Sequence, residues 1–375
     1  MTVRHGVVST IIPVFNRAGL LIEAVNSVLA QTYSLNEVII VDDGSTDETG
    51  DVAQAFAARH PDVVRYLRLA RGREWRARNH GVAAATGEFI EFLDSDDLLA
   101  PEKHASQVHA LRAHPECGIS YCYVREYAIG DPPPQRPARR TGDTFAQLFP
   151  QILSGRIWPY PSPLFRRSVI EAAGPFLEMA AYPDWELECR MGAMGVRLHH
   201  CRSFLAETRN THRLEGRRRN VIPAETMRDS AAIHERILGH ARRAGVPTPA
   251  LRNFARRLFV VGRQCASIGL EPEARRSLDL AREIASAGWR CWIGWYAAIS
   301  NRLGWQFVGR HAERVARGLW RVSQVWSTFS QRWRHRAAVA ADEVVGRPVL
   351  AWPRHLLALW RSRPSRRLRR RQTRT

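Results

Sequence analysis

The chain has 375 residues, 45% of them hydrophobic, which excludes an intrinsically disordered protein and allows one large domain with an appendage. Its formal net charge of +20 is almost wholly arginine, because Lys103 is the only lysine, and so much positive charge points to a polyanionic partner: nucleic acid, an anionic membrane surface or a phosphate-bearing substrate. No run of roughly 20 uninterrupted apolar residues occurs, so no spanning helix is expected.

The apolar run after Val7 is broken by Pro13, Asn16 and Arg17, so a cleavable signal is not expected either. Cys117, Cys122, Cys189, Cys201, Cys265 and Cys291 fit neither a zinc spacing nor a disulfide scaffold, and are expected to be idle thiols in a reducing compartment.

In chain order, residues 7–14 read as a buried strand, and residues 18–31 as a helix with Leu20, Leu21, Ala24, Val25, Val28 and Leu29 at helical spacing. Residues 38–41 form a second strand, followed by a helix over 46–59 with Ser45 or Thr46 as its cap and acids in its first turn. A third strand over 63–69, a helix over 76–85 and a fourth strand over 88–93 complete a βαβαβαβ order. That order predicts an α/β fold with a mainly parallel, Rossmann-like sheet flanked by helices. Two strands end in carboxylates, at Asp42-Asp43-Gly44-Ser45 and at Asp94-Ser95-Asp96-Asp97, where open sheets of this kind bind ligands.

Linked motifs carry a resemblance. Ser9-Thr10-Ile11-Ile12-Pro13-Val14-Phe15-Asn16-Arg17, Ser27-Val28-Leu29-Ala30-Gln31-Thr32-Tyr33, Val41-Asp42-Asp43-Gly44-Ser45-Thr46-Asp47, Ala77-Arg78-Asn79 and Leu93-Asp94-Ser95-Asp96-Asp97 stand in the order and spacing of the family 2 glycosyltransferases. With Leu164-Phe165-Arg166-Arg167, Gly174-Pro175-Phe176 and Asp184-Trp185-Glu186-Leu187, the resemblance extends over about residues 7–215. It implies a GT-A fold and inverting transfer of a sugar from a nucleoside-diphosphate sugar to a hydroxyl of a glycan or lipid-linked acceptor.

By the same resemblance, Pro13, Asp42, Asp43, Arg78, Asp94 and Asp97 are expected to contact the nucleotide sugar, with Asp43 preferred over Asp42. Asp96 of the D-x-D, joined by His212, is expected to hold a divalent cation, Mn²⁺ or Mg²⁺, which neutralises the departing diphosphate. Asp184 aligns with the general base that takes the acceptor's proton, with Glu186 as its rival. Three features depart from the family: Arg73-Glu74-Trp75-Arg76 is bulky and one residue longer, Pro183 replaces an acid before Asp184, and one residue is inserted before His212.

Outside these motifs, Trp158, Tyr160 and Trp185 are expected either to stack on sugar rings or to fill the core, and the Pro/Arg-rich segment 131–140 to edge the acceptor cleft or to be a solvated loop. The family domain is expected over 1–221, a helical region over 222–343 and a basic tail over 344–375. Residues 251–270 and 272–285 read as a helical hairpin, and Trp289, Trp292 and Trp295 share a helical face. Nine of the twelve tryptophans fall at or after Trp289 and no acid follows Glu343, which suits peripheral contact with an anionic membrane from the cytoplasmic side. Other functions compatible with the composition are a phosphatase or receiver-like domain built on Asp42 or Asp94, and a nucleic-acid- or membrane-binding protein with a degenerate transferase domain. Lys103 lies too near Asp94 for the phosphatase or receiver-like chemistry, and no recognised motif supports nucleic-acid binding.

Overall fold

The computed structural model describes residues 3–210 and 223–315. Strands β1 (Arg4–Val14), β2 (Asn36–Asp42), β3 (Val64–Arg68) and β4 (Gly87–Phe92) alternate with helices α1 (Ala18–Leu29), α2 (Thr49–Arg59) and α3 (Glu74–Ala84). There follow β5 (Leu98–Leu99), α4 (Lys103–Ala113), β6 (Cys117–Ala128), β7 (Leu164–Arg166), α5 (Arg167–Ala173), α6 (Pro183–Ala193) and β8 (Arg197–Asn210). They build one eight-stranded sheet in the order β3-β2-β1-β4-β7-β6-β8-β5. The β1–β2, β2–β3, β1–β4 and β6–β8 pairs are parallel; β7 runs antiparallel between β4 and β6, and β5 antiparallel to β8.

The apolar runs read from the sequence are the centre of this sheet: Val8, Ile11, Ile12, Val38, Ile39, Ile40, Phe89 and Ile90 are fully buried, as expected for strands covered on both faces. Gly81 of α3 faces Ile11 so closely that a Cβ could not fit, which brings this helix against β1. One expected detail is different. Helix α2 starts at Thr49, not at 46, and neither Ser45 nor Thr46 caps it. The Ser45 hydroxyl instead accepts the Asn16 N–H at 3.0 Å, and the Ser45 N–H donates to Asp42 Oδ1 at 2.7 Å, so the turn belongs to the β2 exit.

Among the described residues the C-terminal helices are α7 (Ala224–Arg243), α8 (Thr248–Ser267), α9 (Glu271–Ile284) and α10 (Ala287–Leu303), with α8 and α9 forming the expected hairpin, and a further helix over 305–315. Met227, Ile237, Phe254 and Leu258 belong to the same hydrophobic cluster as Ile11, Phe92 and Trp185, so the helices and one face of the sheet share a core. His234 of α7 is wedged there, its ring centroid 5.2 Å from Trp185 and 5.8 Å from Phe254. Burial pulls its pKa down to about 4, only partly offset by the hydrogen bond with the Ser230 carbonyl, so the folded protein keeps this ring neutral while the unfolded chain protonates it. Stability should therefore fall as pH drops from about 6.5 towards about 4, by up to about 3 kcal/mol. Denaturant unfolding across that pH range checks this, and His234→Phe should flatten the slope.

Candidate functional site

The site follows from strand registers. Pairing of β1 with β4 ends at Ile11 opposite Phe92, closed by the Leu93 N–H on the Ile11 carbonyl at 3.0 Å. Pairing of β1 with β2 continues to Val14 opposite Asp42, and the Asp43 N–H still reaches the Val14 carbonyl at 2.9 Å. Beyond Ile11 the strands therefore part. The chain winds outward from β1 through β2 to β3, then returns to β4 on the other side, so this notch is the switch point of the sheet. A cleft of about 850 Å³ opens there, lined by Pro13, Phe15, Arg17, Asp43, Asp94 and Asp96, by residues 71–75 at the entry to α3, and by Thr208, Arg209 and Asn210 of β8.

The two acids at the β2 exit are separated by the pleat. Asp42 is fully buried, its carboxylate accepting from the Ser45 N–H and, at 2.9 Å, from the Tyr66 hydroxyl, whose pKa burial and this carboxylate push up to about 12. Asp43 faces the cleft and accepts the Gly72 N–H at 2.8 Å. Partial burial raises its pKa against the pull of Gly72, Arg71 and Arg76. Beside it, the Arg71 guanidinium lies 3.1 Å from the Phe15 ring centroid, a flat cation-on-ring platform at the cleft wall.

At the β4 exit, Asp94 and Asp96 line the cleft and Asp97 does not. Arg78 of α3, itself buried, donates to Asp94 Oδ1 at 2.7 Å and so stands behind this carboxylate and not on the cleft lining. Arg17, at the mouth of α1, reaches Asp96 Oδ2 at 2.8 Å. Asp97 is buried and accepts the Arg209 N–H at 2.9 Å and the Thr208 hydroxyl at 3.3 Å, which ties the D-x-D turn to β8. Burial, then the charges of Asp94 and Asp96, push its pKa well up. Asn79 clasps the Phe176 backbone through both its N–H and its carbonyl at 2.9 Å, a scaffold role for that member of the Arg-Asn pair.

Asp184 occupies the first turn of α6, behind Pro183, which lines the cleft. Its carboxylate is ion-paired with Arg156, a residue that the sequence did not single out. Arg156 also donates to Glu188 Oε1 at 2.7 Å, and its guanidinium lies 4.4 Å from the Tyr160 ring centroid; Arg78 lies 4.1 Å from that same centroid. Asp94 and Asp184 are thus linked through Arg78, Tyr160 and Arg156. Glu186, the rival base, is 1% exposed and held by Arg190 at 2.9 Å and His240 at 2.8 Å.

Trp158 and Trp185 are core residues with no face for a sugar; their indole N–H groups donate to Glu188 and to the Ile152 carbonyl. The exposed aromatic of this region is Tyr182, which stands in the left-handed conformation at φ 48° directly before Pro183. Arg139 of the Pro/Arg-rich segment lines the cleft, so that segment is an edge of it. His212 and the basic tail 344–375 lie outside the described residues. Among the described residues no group of three or more His, Cys, Asp or Glu side chains could hold a metal ion. The six cysteines are free thiols, four of them buried.

Comparison with known proteins matches residues 9–172 to glycosyl transferase family 2. An uncharacterized glycosyltransferase of Nostoc sp. is 31% identical over 205 residues, covering 53% of this chain and 60% of its own length. Glycosyltransferase GlyG of Streptococcus pneumoniae serotype 4 is 38% identical over 92 residues, covering 24% of this chain and 31% of its own. The chain thus spans less than two thirds of either relative. Among solved structures, S. aureus TarS 1-349 in complex with UDP-GlcNAc superposes with a TM-score of 0.60 at 18% identity, over 82% of this chain and 91% of that one, a likeness of fold.

Proposed function

We propose that the protein transfers a sugar from a nucleoside-diphosphate sugar to a hydroxyl of a glycan or lipid-linked acceptor, with inversion, a reading supported by the match of residues 9–172 to glycosyl transferase family 2 and by the likeness of fold to TarS. The observation that carries this proposal is the notch between β1 and β4, where Asp43, Asp94 and Asp96 face one cleft and the helix bearing Asp184 borders it. Phe15, Arg71 and Asp43 form the nucleotide end: a platform for a base and a carboxylate able to accept its N–H. Arg17, Arg73 and Arg209 offset the charge of the diphosphate, and Asp94, held by Arg78, takes hydroxyl groups of the donor.

In the reaction the acceptor oxygen bonds to the anomeric carbon as the bond from that carbon to the diphosphate oxygen breaks. The acceptor's proton passes to Asp184, whose carboxylate is ion-paired with Arg156. Asp94 and Asp96 line the cleft and would offer oxygen ligands to a hard cation such as Mg²⁺ or Mn²⁺, with phosphate oxygens and water supplying the rest of its ligands. Such a cation would neutralise charge on the leaving diphosphate.

Thermal unfolding with a panel of nucleoside diphosphates and nucleotide sugars, with and without Mn²⁺, tests this proposal. One nucleotide is expected to stabilise the protein in a metal-dependent way, by about 2.7 kcal/mol at a hundredfold excess over its Kd, and Asp96→Ala to lose that metal dependence. Absence of any response across the panel would overturn it.

A further inference from the structure

We propose that the outward face of α10 and of the helix at 305–315 docks on an anionic membrane surface. Helix α10 is fixed on its inner side, where Trp292 lies 4.5 Å and Tyr296 5.2 Å, centroid to centroid, from Phe259 of α8. Among the described residues its other side carries no such cover. Cys291, Trp295, Ala298 and Arg302 form an exposed stripe at helical spacing, with Trp295 70% exposed. Phe307 is 50% exposed on the next helix, and Leu303 and Val315 are also exposed. Of the nine large hydrophobic side chains exposed among the described residues, four fall between 295 and 315, while the other five are spread over residues 3–194. Such clustering marks a contact surface, where scattered apolar residues would not.

Charge chooses the partner. Arg290, Arg302, Arg310 and Arg314 are exposed around these apolar groups, whereas Glu313 is turned inward onto Arg263 at 2.8 Å. The surface is therefore basic and apolar together. The sequence that follows, residues 316–375, adds fifteen arginines and five tryptophans against two acids. Tryptophan set among arginines suits the headgroup and acyl boundary of an anionic bilayer, each basic residue contributing about 1 kcal/mol near the surface. No helix among the described residues is long and apolar enough to cross a membrane, so the contact is interfacial. A second copy of this face would bring arginine against arginine. Nucleic acid would satisfy the arginines and leave Leu303 and Val315 without an apolar partner.

Cys291 provides the test, since it is the one exposed cysteine and lies on the stripe. The full chain, labelled at Cys291 with an environment-sensitive fluorophore, is mixed with vesicles of phosphatidylcholine alone or of phosphatidylcholine with phosphatidylglycerol. The expected result is a blue shift and a several-fold brightening with the anionic vesicles alone, and an about tenfold or greater weakening of vesicle binding in the double variant Trp295→Ser/Phe307→Ser, equivalent to about 1.4 kcal/mol or more. Both side chains are exposed, so an unchanged unfolding temperature should accompany that loss. Three outcomes overturn the proposal. Sedimentation with vesicles while the probe stays in water would place the contact elsewhere in the chain. A signal that grows with protein concentration without lipid would assign the face to a second copy, and a response to duplex DNA would assign it to nucleic acid.

Discussion

Asp184→Asn is expected to slow sugar transfer by about 10²- to 10⁴-fold while leaving nucleotide affinity within about twofold of the parent. The substitution keeps size and shape but removes the charge that accepts a proton. Its local cost is small, because Arg156 retains Glu188 at 2.7 Å and the Tyr160 ring at 4.4 Å. Pro183 and the left-handed Tyr182 fix the start of α6 through the backbone, so position 184 should stay in place whichever side chain it carries. The rival is removed by its surroundings: Glu186 is buried, with Arg190 and His240 on its carboxylate, and cannot meet an acceptor hydroxyl. Rate and affinity are measured separately, the first by product formation at saturating donor and the second by titration with the nucleoside diphosphate. A parental rate in Asp184→Asn would sink its assignment as base. Loss of nucleotide binding together with rate would mean instead that the substitution had disturbed the cleft.

Much of the fold and part of this site were legible because the signals are local. Fully apolar runs mark buried parallel strands, and carboxylates directly after them fall at the strand exits whatever the rest of the chain does. What failed was set by distant partners. Ser45 has the look of a helix cap, yet its hydroxyl is engaged by the Asn16 N–H, twenty-nine positions earlier, and α2 begins only at Thr49. Asp42 is also expected at the nucleotide, though Asp43 is preferred, and alternation along β2 sends Asp42 to Tyr66 and Asp43 to the cleft. Arg156 was invisible because Gly155-Arg156-Ile157 has no motif, and its meaning comes from Asp184 and Glu188 across the fold. The same holds for Trp158 and Trp185, whose burial depends on packing against the 3₁₀ turn Gln151–Ser154 and the C-terminal helices.

Glu91→Ala is expected to destabilise the protein by about 3–5 kcal/mol, a loss on the scale of a whole domain's stability. Glu91 on β4 is fully buried and pairs with Lys103 and His104 of α4, each of them also fully buried. Lys103 is the only lysine in the chain. Its compact ammonium fits between Glu91 and the Gln107 carbonyl oxygen, where a planar guanidinium with five donors would need more room and more acceptors. Gln107 passes the order on by donating to the Ser120 and Ser162 carbonyls at 2.9 Å, so the network ties α4 to β6 and to the chain before β7. Removing Glu91 leaves a buried cation without its counter-ion. The double variant Glu91→Leu/Lys103→Met should therefore recover most of the loss, since it removes both charges and keeps the volume.

Acid should reveal the same pair. Burial raises the Glu91 carboxyl, but Lys103 and His104 outweigh it and hold its pKa below the ordinary value, so its contribution is present above the unfolded pKa and lost as pH falls through the folded one. Burial also lowers the His104 pKa, so protonation of the unfolded chain below about 6.5 costs further stability in the same direction. Urea midpoints of the parent and both variants between neutral and acidic pH measure these effects. A Glu91→Ala midpoint equal to the parent's at neutral pH would show that water or a shifted side chain satisfies Lys103. A double variant no more stable than the single one would show that the network is kept by shape and not by charge.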